Sequence, residues 1–228
     1  MAFISIFDVL GPNMVGPSSS HTAGACSIAL LAHKILDEPA REVTFTLYGS
    51  FARTYKGHGT DRALLAGILG CSTDDTRIPR AYEIAEEHNL KWHFICNKTE
   101  TEIHPNTVDI HLIGSSGKII DLRGESIGGG KIRIVRINGI EVDFSGEDNT
   151  LIVVHRDRVG MAAHITSCLS QRNVNIAYMK LFRENKGDRA YSIMEFDNDV
   201  PEDIKEKILE KEDVERVVLI RVREGKND

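Results

Sequence analysis

TLIVVHRDRVG, residues 150–160, decides how the second half of the chain folds. A β-branched and apolar run makes a strand, the charged HRDR stretch ends it, and Gly160 leads into a different periodicity. Residues 159–172 read as a helix with Met161, Ile165, Cys168 and Leu169 on one face. VNIAYMKLFRE (174–184) and RAYSIMEFD (189–197) read as strands, with Gly187 and Asp188 in the link between them. PEDIKEKILEK (201–211) is a helix with Pro201 near its start and Ile204, Ile208 and Leu209 inward. VERVVLIRV (214–222) closes the unit. The order is β-α-β-β-α-β, the ferredoxin-like arrangement.

Upstream of this unit, SGEDN (145–149) is polar and turn-rich between IEVDF (140–144) and TLIVVH (150–155). The chain of 228 residues is therefore expected to hold two domains, 1–147 and 149–228. The fold class is α+β: a mixed α/β domain first, the ferredoxin-like unit second. In the first domain a helix is expected from about Thr22 to Leu36, stopped before Pro39. VTFTLYG (43–49) alternates as a half-buried strand does. DRALLAGILG (61–70) reads as a helix with Thr60 as N-cap, and residues 80–88 as another. TVDIHLIG (107–114), KIIDLRG (118–124), KIRIVRING (131–139) and IEVDF read as strands, with Asn138-Gly139 as a hairpin turn.

Composition excludes several classes. Hydrophobic residues make up 41% and charged residues 27%, which supplies enough apolar material for a core. The net charge is −6 and no run of Lys and Arg is visible, which argues against a nucleic-acid binder. No stretch reaches the ~18 apolar residues of a membrane span. MAFISIFDVLGP (1–12) lacks a basic leader and a cleavage site, so a cytoplasmic location is expected. Cys26, Cys71, Cys96 and Cys168 are scattered without CxxC, so neither a disulfide framework nor a metal site in this chain is expected.

Seven of the nine histidines fall in the first domain, beside its hydroxyl- and glycine-rich motifs. SSSHTAG (18–24), YGS (48–50), GHGTD (57–61) and ESIGGG (125–130) occur in that order. Together they resemble the beta-chain family of iron–sulfur L-serine dehydratases (L-serine ammonia-lyases), whose N-terminal unit is an allosteric substrate-binding domain. The second unit resembles an ACT domain, on HRDRVG (155–160) and NVNI (173–176). The resemblance spans essentially the whole chain. It implies a partner alpha chain carrying a [4Fe-4S] cluster, and deamination of L-serine to pyruvate and ammonia.

The residues are read against that expectation. His21 and His58 are the candidate catalytic groups, each able to move a proton near neutral pH. Ser18, Ser19, Ser20 and Thr22, with Gly59, Thr60 and Asp61, stand at two helix starts whose free amides suit a carboxylate. Helix capping alone would use one of Ser20 or Thr22. Tyr48 is either a third substrate contact or a half-buried strand tyrosine. Ser126, Gly128 and Gly129 are either an anion-holding loop or a turn. In the second unit the resemblance places an amino-acid site at Arg158, Gly160 and Asn175, although Val159 stands where many ACT domains have proline. Self-association through this unit is the other role it implies. A non-catalytic serine sensor is the alternative to the enzyme.

Overall fold

Ser18 starts the first helix. Its extended backbone and its Oγ, which accepts the His21 N–H at 3.1 Å, make it the N-cap. The helix therefore begins three residues before the expected Thr22, and the cap is neither Ser20 nor Thr22. The first turn, Ser19–Gly24, is π-helical: Ala23 donates to the Ser18 carbonyl at 3.3 Å. It runs into helix α1, Ala25–Leu36, which ends on Asp37 in the left-handed region with its N–H on the His33 carbonyl. The computed structural model describes residues 13–221 except Glu147, Glu184, Asp197 and Glu202, so MAFISIFDVLGP lies outside the described residues.

Strand β1, Ala40–Leu47, buries Val43, Phe45 and Leu47 in alternation. Two short elements follow that periodicity did not reveal. Helix α2, Gly49–Thr54, is too brief to show a period, and β2, Lys91–Cys96, is an edge strand with every other residue exposed. Helix α3, Thr60–Ile68, begins one residue earlier than expected. Gly59, at φ 67°, is its cap, so Thr60 is inside the helix and fully buried. Helix α4, Ala81–Glu87, falls where a helix was expected.

Strands β3 (Thr107–Gly114), β4 (Ile119–Gly128), β5 (Lys131–Ile137) and β6 (Ile140–Phe144) complete one six-stranded sheet in the order β2-β1-β3-β4-β5-β6. β1 and β2 are parallel and the other neighbours antiparallel. Helix α1 lies on the face carrying Val108, Ile110 and Leu112, and α3 packs on α1. That second crossing is very close. A Cβ on Gly67 would stand 2.5 Å from the Cys26 carbonyl oxygen and 2.7 Å from the Ala29 Cβ.

The second unit, from Gly146 onward, is a separate compact body. β7 (Asn149–Arg156), α5 (Met161–Ser170), β8 (Tyr178–Arg183), β9 (Arg189–Phe196), α6 (Ile204–Leu209) and β10 (Val214–Ile220) give the expected βαββαβ order. Its sheet runs β10-β7-β9-β8, the ferredoxin-like order. The core packs Leu151, Val153, Ile165, Leu169, Met194, Phe196, Ile204 and Ile208. The second strand starts at Tyr178 and not at 174, because Asn173 turns the chain at φ 54° and Val174 still packs in the core. Among the described residues, no helix is long and apolar enough to cross a membrane.

The Gly67 crossing is testable. Gly67→Ala gains about 1 kcal/mol of helix propensity but overpacks against backbone, at a cost of ~1–3 kcal/mol. We expect urea unfolding to show a net loss near 1 kcal/mol with an unchanged slope. A stabilised variant would refute the close crossing.

Candidate active site

The first turn of α1 brings His21 against the GHGTD motif. The His21 and His58 rings lie 4.9 Å apart between centroids, and the edge of Phe51 packs on His21 at 5.4 Å. The Thr22 hydroxyl ties the two motifs together by donating to the His58 carbonyl at 2.9 Å. Among the described residues the hydrogen-bond partners of the His21 ring are all hydroxyls. Nδ1 is 3.0 Å from Ser20 Oγ and 3.4 Å from Ser18 Oγ, and Nε2 is 2.9 Å from Ser50 Oγ. Among the described residues no hydrogen bond engages the His58 ring, whose Nδ1 is buried.

Burial, and then the neighbouring charge of His58, push the His21 pKa below the ordinary imidazole range. Two imidazoles this close do not readily hold two charges, so His21 is neutral at neutral pH. Other polar atoms of these motifs and of the sheet beside Gly24 are also unsatisfied among the described residues. Thr60 Oγ1, Ser126 Oγ and Asn106 Oδ1 are buried without a partner. Ser126 stands directly against Gly24, where a Cβ would collide with its hydroxyl, and Asn106 pairs with the Ser126 backbone. Native proteins leave few such atoms, so a polar ligand or water is the expected occupant of this region.

Of the residues proposed from sequence, the fold gathers Ser18, Ser20, His21, Thr22 and His58, with Ser19 as the first residue of the turn. Ser126 is beside them and Thr60 follows Gly59 at the start of α3. Others go elsewhere. The Tyr48 ring lies on the opposite face of the sheet, because strand residues alternate. Its hydroxyl donates to Asp109 at 2.7 Å, and Arg123 holds the same carboxylate in a bidentate pair. Asp61 is spent on structure, accepting from the Arg62 N–H and the Tyr82 hydroxyl. Gly128 and Gly129 form the β4–β5 turn, with nothing within 4 Å of a side chain at either. In the second unit Arg158 and Asn175 are exposed, and Gly160 caps α5 at φ 87°.

Sequence reasoning missed Ser50 and Asn106. Ser50 closes the YGS motif just past the end of β1, beside the tyrosine that the motif also carries. Gly49, at φ 48°, presses α2 onto Pro105, whose carbonyl accepts from Ser50 N at 2.6 Å. This contact aims Ser50 at His21 and could not be seen from spacing.

The cysteines do not offer a cluster site. Burial pushes the Cys26 thiol up to about 12, which keeps it protonated at neutral pH. Among the described residues no group of three or more His, Cys, Asp or Glu is placed to hold a metal ion. These residues therefore do not fit an iron–sulfur cluster.

Unfolding returns His21 to an ordinary value near 6.5. Below that value the unfolded chain binds more protons than the folded one, so His21 makes stability fall as pH drops toward its lowered native pKa. We expect an NMR titration to place its midpoint below about 6.5. His58→Gln should raise the midpoint only part of the way, because burial is the larger cause. An ordinary midpoint in the native chain would contradict this site.

Comparison with known proteins identifies the family of the chain. The family described as serine dehydratase beta chain matches residues 5–136, and the AHAS small subunit-like ACT domain family matches residues 151–216. The L-serine dehydratase beta chain of Peptoniphilus asaccharolyticus is 41% identical, covering 92% of this chain and 94% of its own length. The probable L-serine dehydratase beta chain of Bacillus subtilis is 37% identical, covering 96% and 99%. The D-3-phosphoglycerate dehydrogenase of Bacillus subtilis is 26% identical over 86% of this chain, which spans 37% of that larger protein. With half of its length matched by the family and two relatives aligned nearly end to end, the chain belongs to the serine dehydratase beta chain family, followed by an ACT domain.

Proposed function

We propose that this chain is the beta subunit of a two-chain L-serine dehydratase, acting with an alpha chain that carries a [4Fe-4S] cluster. The observation that supports this reading is the His21–His58 pair beneath a hydroxyl-rich helix start. The reaction removes the Cα proton of L-serine and expels its hydroxyl as water. The resulting enamine becomes an imine, and water hydrolyses it to pyruvate and ammonia.

This chain's residues supply binding and proton transfer. Ser18 and Ser20, with the amides of the first turn, hold the substrate carboxylate. His58 takes the Cα proton. Among the described residues its ring takes no hydrogen bond, whereas both nitrogens of His21 are occupied. A neutral His21 beside it holds the pocket in shape without adding a second positive charge. The cluster, which the family resemblance assigns to the partner, would supply Lewis acidity; this chain's described residues do not fit it.

A serine-sensing regulatory role is the second reading. The partial match to D-3-phosphoglycerate dehydrogenases favours it, because a similar unit there is part of a different enzyme. In either case the second unit serves amino-acid binding at the Arg156–Met161 loop or association between copies.

The test is reconstitution with the alpha partner under anaerobic conditions. We expect pyruvate from L-serine only in the pair, and loss of turnover in both His21→Ala and His58→Ala. The loss should be roughly a hundredfold or more for His58, the range of general base catalysis. Near-normal kcat in both variants, with altered serine affinity or cooperativity, would favour the sensor. Full activity from this chain alone would refute the division of labour.

A further inference from the structure

L-Serine carries a carboxylate, a hydroxyl and an ammonium. The hydroxyls and free amides of the first turn suit the carboxylate, but an ammonium only donates and needs oxygen acceptors. The acid of the GHGTD motif, Asp61, already accepts from the Arg62 N–H and the Tyr82 hydroxyl. The sheet offers a different acceptor. Ser126 is fully buried and presses on Gly24, in the same turn as His21: a Cβ on Gly24 would stand 2.0 Å from its Oγ. Asn106 is its cross-strand neighbour, and Ser126 N donates to the Asn106 carbonyl at 3.0 Å. One residue before Asn106, the Pro105 carbonyl accepts from Ser50 N at 2.6 Å, and Ser50 Oγ is 2.9 Å from His21 Nε2. Asn106 is therefore tied on both sides to residues that touch the His21 turn.

Neighbouring groups fix the orientation of the Asn106 amide. Its backbone N–H donates to His104 Nδ1 at 3.3 Å, and its Nδ2 donates to the Ser126 carbonyl at 3.4 Å. A carbonyl only accepts, so the amide nitrogen must face it and the amide oxygen must face away. That oxygen, Oδ1, is buried and has no partner among the described residues, as is also true of Ser126 Oγ. A buried acceptor without a donor is destabilising. A hydroxyl can serve as donor or acceptor, but an amide oxygen only accepts: it repels a carboxylate and attracts a cationic N–H. We propose that Asn106 is a substrate-binding residue whose Oδ1, together with Ser126 Oγ, accepts from the ammonium of an amino-acid ligand. The proposal rests on the reading of this turn as the serine-binding site. An ammonium held in its charged form withdraws electrons from Cα, which makes the Cα proton easier for His58 to take.

The test compares L-serine with 3-hydroxypropionate, the same acid without its amino group, as competing ligands of the chain paired with its alpha partner. Asn106→Ala should raise KM for L-serine about tenfold, the value of one hydrogen bond to a charged group, and leave the inhibition constant of 3-hydroxypropionate within about twofold. Asn106→Asp keeps an acceptor and adds negative charge, so it should move the preference the other way, toward L-serine. The ratio of the two affinities is the readout, because damage to the fold weakens both ligands alike. A ratio unchanged in Asn106→Ala overturns the proposal, whether Asn106 is then purely structural or its oxygen meets only an ordered water. If Asn106→Ala does not fold, the ratio in Asn106→Asp decides alone. If the native pair forms no pyruvate, the same ratio is read from the two Kd values by calorimetry. A shifted ratio without turnover would refute the enzymatic reading alone, and turnover with an unshifted ratio would refute this proposal alone.

Discussion

The absence of side chains at Gly67 and Gly24 lets the first helix sit where the rest of the first domain needs it. Gly67 allows α3 to approach the α1 backbone at Cys26, and Gly24 makes room for the Ser126 side chain of the sheet. Any Cβ at these positions would push α1 away from one neighbour or the other. The close crossing brings the starts of α1 and α3 together, and with them the two histidines. The π turn contributes as well. Its wider winding places His21 inward and leaves the Ser20 hydroxyl on the histidine ring.

The electrostatics of the site follow from what surrounds it. His21 is held by three serine hydroxyls and a T-shaped contact with Phe51, and among the described residues no carboxylate is in hydrogen-bond contact with it. Such a setting favours a neutral ring. The carboxylates that could have charged it are engaged elsewhere: Asp61 by Tyr82, and Asp109 by Tyr48 and Arg123 across the sheet. In the proposed reaction, a neutral His21 beside adjacent donors leaves room for one proton to be accepted near a bound carboxylate without two imidazolium charges. The buried, unpartnered oxygens of Thr60, Ser126 and Asn106 belong to the same economy. They are costly when empty and useful when a polar ligand meets them.

Much of this was legible in residue order. The βαββαβ unit was readable because each of its elements carries its own period, and its strands occur in the predicted sequence. The SSSHT and GHGTD motifs were readable because hydroxyls and histidine at two helix starts exceed what capping needs. Short elements were not legible. Six residues of α2 or of the edge strand β2 carry too little periodicity to stand out. Motif membership also misled, since Tyr48 and Asp61 belong to the same motifs as Ser50 and His58 but serve the framework.

The sequence by itself determined the two-part α+β plan, the family, and the pairing of His21 with His58 as the groups of interest. These depend on local periodicity and on residue types at short spacing. Only the tertiary structure decided which hydroxyls face the histidines, that Ser50 completes the set, and that Tyr48 lies across the sheet. The physical reason is that side-chain direction in a strand changes with every residue, and the approach of two helices is set by backbone contact. Both are properties of long-range packing, which one-dimensional spacing does not encode.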